Sequence, residues 1–175
     1  MNLPNKLTLL RIALIPIFIV VLMNGYYTAS AFIFIIASLT DALDGYIARK
    51  HHLITNFGKI MDPLADKLLV TAAFVCLVQL GDVAAWMVIV ILARELTITG
   101  LRAVAASEGI VIAAANSGKL KTVLQMLAVI ALLFQNYPFS LWQIPFADLV
   151  LWAAVIMTIV SGAEYIIKNK QIFSM

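Results

Sequence analysis

Charge is scarce in this chain. Only 12% of its 175 residues are Asp, Glu, Lys or Arg, against 63% hydrophobic residues, and a water-soluble domain needs about twice that charge to cover its surface. The mean hydropathy of +1.03 therefore excludes an ordinary soluble domain and points to an integral membrane protein. Cysteine is nearly absent too. The single Cys76 lies in an apolar run, cannot form an internal disulfide, and reads as a packing residue. Low-complexity tracts and internal repeats are missing, and the missing repeat speaks against an inverted-repeat transporter. At about 20 residues per crossing, the length leaves room for roughly six transmembrane helices and no separate soluble domain. The expectation is an all-α membrane protein, one domain over residues 1–175, with any chemistry built into the helices or their ends.

Apolar stretches run over residues 7–23, 29–40, 64–80, 83–93, 120–134 and 146–167. The second and fourth reach spanning length only with the polar residues that follow, 41–50 and 94–106, so those two helices are expected to protrude from the hydrocarbon on one side. Asn24-Gly25-Tyr26, Leu80-Gly81-Asp82 and Gln135-Asn136-Tyr137-Pro138 supply turn formers, and residues 51–56 read as a polar loop. Trp86, Trp142 and Trp152 read as membrane-interface or packing residues. The basic residues set the topology. Lys6 and Arg11 precede or open the first helix, and Arg49, Lys50, Lys59 and Lys67 flank the second connection. Arg94, Arg102, Lys119 and Lys121 flank the fourth, and Lys168 and Lys170 follow the sixth helix. All twelve fall on one side, which the positive-inside rule makes the cytoplasm, with both termini there. Lys6, Arg11, a short apolar core and Ala29-Ser30-Ala31 also imitate a cleavable signal peptide. Cleavage after Ala31 would leave residues 32–40 too short to span ahead of Asp41 and would break the even helix count, so the first stretch is read as a span.

Four of the nine acidic side chains crowd into 26 residues, in the pattern Asp41-x2-Asp44-Gly45-x2-Ala48-Arg49-x8-Gly58-x3-Asp62-x3-Asp66. An unpaired carboxylate at membrane depth costs about 3 kcal/mol, and neighbouring carboxylates repel one another, so the cluster needs cations to hold it. On helices, Asp41 and Asp44 share one face and Asp62 and Asp66 another, and two facing helices would present four carboxylates to one cavity. Such an oxygen-rich set suits Mg²⁺ or Mn²⁺ and not zinc, which would call for His and Cys. His51 and His52 read as solvated loop residues. Gly45 and Gly58 lie four residues from Asp41 and Asp62, each removing a side chain beside a carboxylate to admit a bulky ligand, or else allowing close helix packing. Arg49, one turn past Gly45, carries a planar fork that bridges phosphate oxygens. Pro63 marks either the first turn of the third helix or a kink beside the site.

The string from Asp41 to Asp66 resembles the signature of the CDP-alcohol phosphatidyltransferase family at all eight fixed positions. With each residue type filling roughly one position in fifteen, such a match recurs by chance about once in 10⁹ windows. The six-helix layout resembles the family along the whole chain. Residues 2–11, Asn-Leu-Pro-Asn-Lys-Leu-Thr-Leu-Leu-Arg, and Ala93-Arg94-Glu95 look like its phosphatidylglycerophosphate synthase branch. The resemblance implies transfer of a phosphatidyl group from CDP-diacylglycerol to an alcohol, with release of CMP, in the bacterial cell membrane and by a homodimer. It implies that Asp41, Asp44, Asp62 and Asp66 hold two divalent cations, Mg²⁺ or Mn²⁺, that Asp66 also serves as general base, and that Gly45, Arg49 and Gly58 line the CDP. The residues fit that chemistry: a pyrophosphate needs metal neutralisation, the attacking hydroxyl needs a base, and no Ser, Cys or His nucleophile stands at the motif.

A phosphorylated acceptor such as sn-glycerol 3-phosphate needs further positive charge. Arg94 and Arg102, eight apart and on one face of a continuous helix, join Lys119 and Lys121 as candidates for the acceptor phosphate, although each also reads as a topology anchor. Glu95 is placed to orient one of these cations. Asn5 and Thr8 either hydrogen-bond the donor or cap the first helix. Competing functions are the same family with serine, inositol phosphate or phosphatidylglycerol as acceptor and, in a different class, a divalent-cation transporter.

Overall fold

In hydrocarbon every backbone N–H and C=O must be satisfied within its own segment, which leaves the helix as the open form available to long apolar runs. The structure is a computed structural model that describes residues 3–50, 55–110, 112 and 115–170, apart from the side chains of 3–4, 41–50, 56–57 and 59–60. Among these residues the chain forms α1 (Leu3–Met23), α2 (Tyr27–Lys50), α3 (Asn56–Leu80), α4 (Ala85–Ser107), α5 (Asn116–Leu133) and α6 (Phe146–Lys168), with a single 3₁₀ turn, Phe139–Trp142, before α6 and no strand. By length and composition, three helices can cross a membrane, through Asn5–Met23, Met61–Leu80 and Phe146–Lys168; α2 offers the shorter apolar stretch Tyr27–Thr40. In α4 and α5 the polar ends that carry Arg94, Glu95, Arg102, Lys119 and Lys121 dilute the apolar run.

α2 and α4 continue through their polar tails to Lys50 and Ser107, as their short apolar stretches require. α3 differs from expectation. It begins at Asn56, well before the apolar run opens at Leu64, so Pro63 lies inside the helix and not in its first turn. Its missing N–H leaves the carbonyl four residues back without a helical donor.

The turns gather the odd connections at one end. Gly25 and Gly81 adopt φ of 84° and 88°, and the Gly81 N–H donates to the carbonyls of Leu77 and Val78 to close α3 in a left-handed cap. The Tyr27 hydroxyl donates to Asp82 Oδ2 at 2.9 Å, tying the start of α2 to the turn after α3. Asp82 in turn shares a hollow of about 480 Å³ with Gln135, Asn136 and Gln143 of the α5–α6 connection and Asp148 in the first turn of α6. The start of α1, the ends of α2, α4 and α6 and the starts of α3 and α5, on which the described Lys and Arg residues are carried, consequently lie toward the opposite end. The one-sided charge pattern of the sequence is thus one end of the bundle.

Between the two ends runs a core that includes Phe18 and Leu22 of α1, Phe34 of α2, Phe74 and Leu77 of α3, Val129 and Leu133 of α5 and Val155 of α6, each essentially inaccessible to solvent. α1 packs on α2 and α3, α5 on α6, and α4 leans on α6. Within the apolar interior Gln125 Nε2 donates to Thr158 Oγ1 at 3.0 Å, and that hydroxyl donates to the Ala154 carbonyl at 2.7 Å. This chain of bonds satisfies both side chains while joining α5 to α6.

Candidate active site

The buried stripe of α1 reads Asn5, Thr8, Arg11, Ile15, Phe18 and Leu22 at helical spacing. Its inner half is apolar, but at the basic end three polar residues take its place, and Thr8 and Arg11 are both 0% exposed. Two of these side chains, those of Asn5 and Thr8, meet the start of α3. Thr55, extended at φ −115° and ψ 158°, is the N-cap of α3. Its hydroxyl accepts the Gly58 N–H at 3.0 Å and donates to Asn5 Oδ1 at 2.9 Å. One turn on, the Thr8 hydroxyl donates to Asp62 Oδ1 at 2.5 Å. Because α1 already begins at Leu3, Asn5 and Thr8 are interior residues; the capping alternative is overturned, and their side chains face α3.

Gly58 has a geometric reason. A Cβ there would stand 3.3 Å from Asp62 Oδ2, 3.3 Å from Thr55 Oγ1 and 3.5 Å from Asn5 Oδ1. The absent side chain leaves a small cradle bounded by three oxygens, one of them the carboxylate oxygen that Thr8 does not hold. Asp66 follows Asp62 by one turn and is half-buried. Hard oxygen donors of this kind fit a divalent cation such as Mg²⁺ or Mn²⁺. Asp41 and Asp44 lie three apart in α2, on one face of that helix, but their side chains, like those of Gly45 and Arg49, lie outside the described residues, as do His51 and His52. With half of the quartet outside, no group of three potential metal ligands stands together among the described residues.

A second polar group lies where α4, α5 and α6 meet. Glu95 Oε1 accepts from Arg94 Nη1 at 3.1 Å and from Lys121 Nζ, and Lys121 is 3% exposed. Arg94 threads between two glycines. A Cβ on Gly118 of α5 would lie 3.5 Å from its Nη2, and one on Gly162 of α6 would lie 3.0 Å from its Cγ. Its buried Nε has no hydrogen-bond partner among the described residues. Arg102 faces α6 as well, but on another partner: its Nε donates to the Tyr165 hydroxyl at 2.9 Å, and its guanidinium lies 5.6 Å from the ring centroid. Lys119 is exposed. Of the four cations expected around the acceptor, Arg94 and Lys121 are brought together, through Glu95.

Sequence reasoning missed several participants. Arg11 read as a topology anchor, although its place in the α1 stripe, one turn past Thr8, was a usable signal. Thr55 was an unremarked loop residue. Lys67, beside Asp66, donates from α3 to the Thr99 hydroxyl of α4. The fit of Gly118 and Gly162 to Arg94 joins three helices, and nothing in local spacing announces it.

Comparison with known proteins agrees with this picture. The family model described as CDP-alcohol phosphatidyltransferase matches residues 1–160. A CDP-diacylglycerol–glycerol-3-phosphate 3-phosphatidyltransferase of Bacillus subtilis (strain 168) is 55% identical, covering 96% of this chain and 95% of the relative. Proteins of the same name from Rickettsia bellii (strain RML369-C) and Pseudomonas fluorescens are 39% identical, over 98% of this chain and 97% of the relative, and 40% identical, over 81% and 77%. With its aspartate motif complete and the family model matched along nearly its whole length, the chain belongs to the CDP-alcohol phosphatidyltransferase family.

Proposed function

We propose that this protein transfers the phosphatidyl group of CDP-diacylglycerol to sn-glycerol 3-phosphate, giving phosphatidylglycerophosphate and CMP. The observation that carries the reading is the 55% identity, over almost the full length of both chains, to a relative whose name states that donor and acceptor.

The all-oxygen residues Asp41, Asp44, Asp62 and Asp66 would hold two divalent cations, Mg²⁺ or Mn²⁺, which when bound supply neutralisation of the pyrophosphate and of the departing CMP. The rest falls to the protein. Asp66, at the end of the array, accepts the proton of the acceptor hydroxyl as that oxygen bonds to the phosphorus bearing diacylglycerol. The bond from this phosphorus to the bridging oxygen breaks, and its electron pair leaves with CMP. None of the motif's fixed positions is Ser, Cys or His, and His51 and His52 between them read as loop residues, so the displacement is direct. Gly45, Arg49 and Gly58, with Asn5, line the CDP portion.

For the acceptor, Arg94 and Lys121 grip the phosphate of glycerol 3-phosphate. Glu95 offsets one of their two charges and holds both in place, so that an anion completes the balance. Arg102 and Lys119, near the same ends of α4 and α5, add positive potential that draws anionic substrates in. A site built on this cluster disfavours uncharged acceptors such as inositol. Six membrane crossings, with both termini and the site at the cytoplasmic face, follow from the gathering of basic residues at one end of the bundle.

The test is an acceptor panel. Membranes containing the protein, supplied with CDP-diacylglycerol and Mn²⁺, should release CMP only when glycerol 3-phosphate is added. Release that requires serine or inositol instead would overturn the acceptor assignment, and transport of the cation without CMP release would overturn the enzymatic one.

A further inference from the structure

We infer that Thr8 is a positioning residue for the cation site: it orients the Asp62 carboxylate so that one oxygen is held and the other is presented. The inference rests on the cation-binding reading proposed above. Thr8 is 0% exposed, and its hydroxyl reaches Asp62 Oδ1 at 2.5 Å across 54 residues of sequence. Its β-branched side chain sits inside α1, where χ1 has few allowed wells, so the donor itself is stiffly placed. Holding Oδ1 fixes the plane of the carboxylate and turns Oδ2 toward the Gly58 cradle, 3.3 Å from where a Cβ would stand.

The chemistry of the donor matters. A hydroxyl orients a carboxylate without neutralising it, so the full negative charge remains for a cation, whereas a Lys or Arg at the same place would compete for it. The neighbouring hydroxyl, Thr55, is already committed, donating to Asn5 and accepting from the Gly58 N–H. Among the described contacts of this cradle, the bond from Thr8 is the one that acts on the Asp62 carboxylate itself. Groups that orient a metal ligand in this way are worth about 10- to 100-fold in metal affinity.

The experiment is a Mn²⁺ titration of the purified full-length protein in detergent, with free ion counted by its electron paramagnetic resonance signal, for wild type, Thr8→Val, Thr8→Ala and Thr8→Ser. Val and Ala should raise the Mn²⁺ dissociation constant about tenfold or more. Ser, which keeps the hydroxyl, should restore binding to within about threefold of wild type. Unchanged Mn²⁺ affinity in both Val and Ala, or a Ser variant as weak as Ala, would overturn the positioning role. If Val fails to fold, the Ala and Ser pair still decides. Wild-type protein that binds no Mn²⁺ would instead sink the cation reading itself, a result distinct from variants that bind as wild type does.

Discussion

At the scale of single residues, Asp66 and Gly162 test the two halves of the proposed reaction. Asp66 lies one turn beyond Asp62 on α3, and the proposed function makes it the base. Asp66→Asn should lower turnover by about 10²-fold or more while leaving nucleotide binding largely intact, because a base acts on the transition state and contributes little to ground-state binding. Single-turnover kinetics beside a CMP-binding titration would check it, and unchanged turnover would remove Asp66 from that role. Gly162 leaves no slack, with a Cβ only 3.0 Å from Arg94 Cγ. Gly162→Ala should displace Arg94 and raise KM for glycerol 3-phosphate about tenfold, with the KM for CDP-diacylglycerol unchanged, in steady-state assays that vary each substrate in turn. The two residues differed in legibility for a physical reason. The aspartates announce themselves because helical spacing is local and carboxylates are costly in an apolar chain. The contacts of Gly162 with Arg94, and of Thr8 with Asp62, join different helices far apart in the chain, and no local periodicity carries that information.

At the scale of elements, α3 is the piece on which the site depends, and its two ends are set by different chemistry. Thr55 caps its start with a side-chain hydrogen bond, and Gly81 closes its end at φ 88° with open space around it. Replacing either with Ala should cost about 1 kcal/mol, for Thr55 by loss of the cap and for Gly81 by backbone strain alone. Gly100 offers the contrast. It lies inside α4 with nothing near its missing Cβ, so Gly100→Ala should stabilise by about 0.5–1 kcal/mol. Thermal melts in detergent should therefore fall for the first two and rise for the third. The extents of α2 and α4 were legible because apolar runs too short to span had to borrow their polar tails. The start of α3 was not, because its first two turns mix polar residues with Phe57, Ile60 and Met61 in no continuous apolar run and Pro63 suggested a later beginning, whereas the true signal was Thr55 acting as a cap.

For the whole molecule, the alternation of six helices sends the odd connections to one end and the basic residues to the other. Cys76 is buried at 5% exposure and gives little labelling background, so introduced cysteines report sidedness cleanly. In intact cells, Ser140→Cys in the α5–α6 connection should react with a membrane-impermeant maleimide, and Lys170→Cys after α6 should react only once the cells are opened; the reverse pattern would invert the topology. In the proposed function the aspartate array and the Arg94–Glu95–Lys121 group act together in phosphatidyl transfer to a phosphorylated alcohol. Its most direct test is to supply radiolabelled glycerol 3-phosphate with CDP-diacylglycerol and Mn²⁺ to the purified protein and follow the label into extracted lipid. Label should enter a lipid carrying two phosphates, one such lipid for each CMP released, and Asp66→Asn should remove this incorporation. Label that stays in the aqueous phase while CMP is released would contradict it.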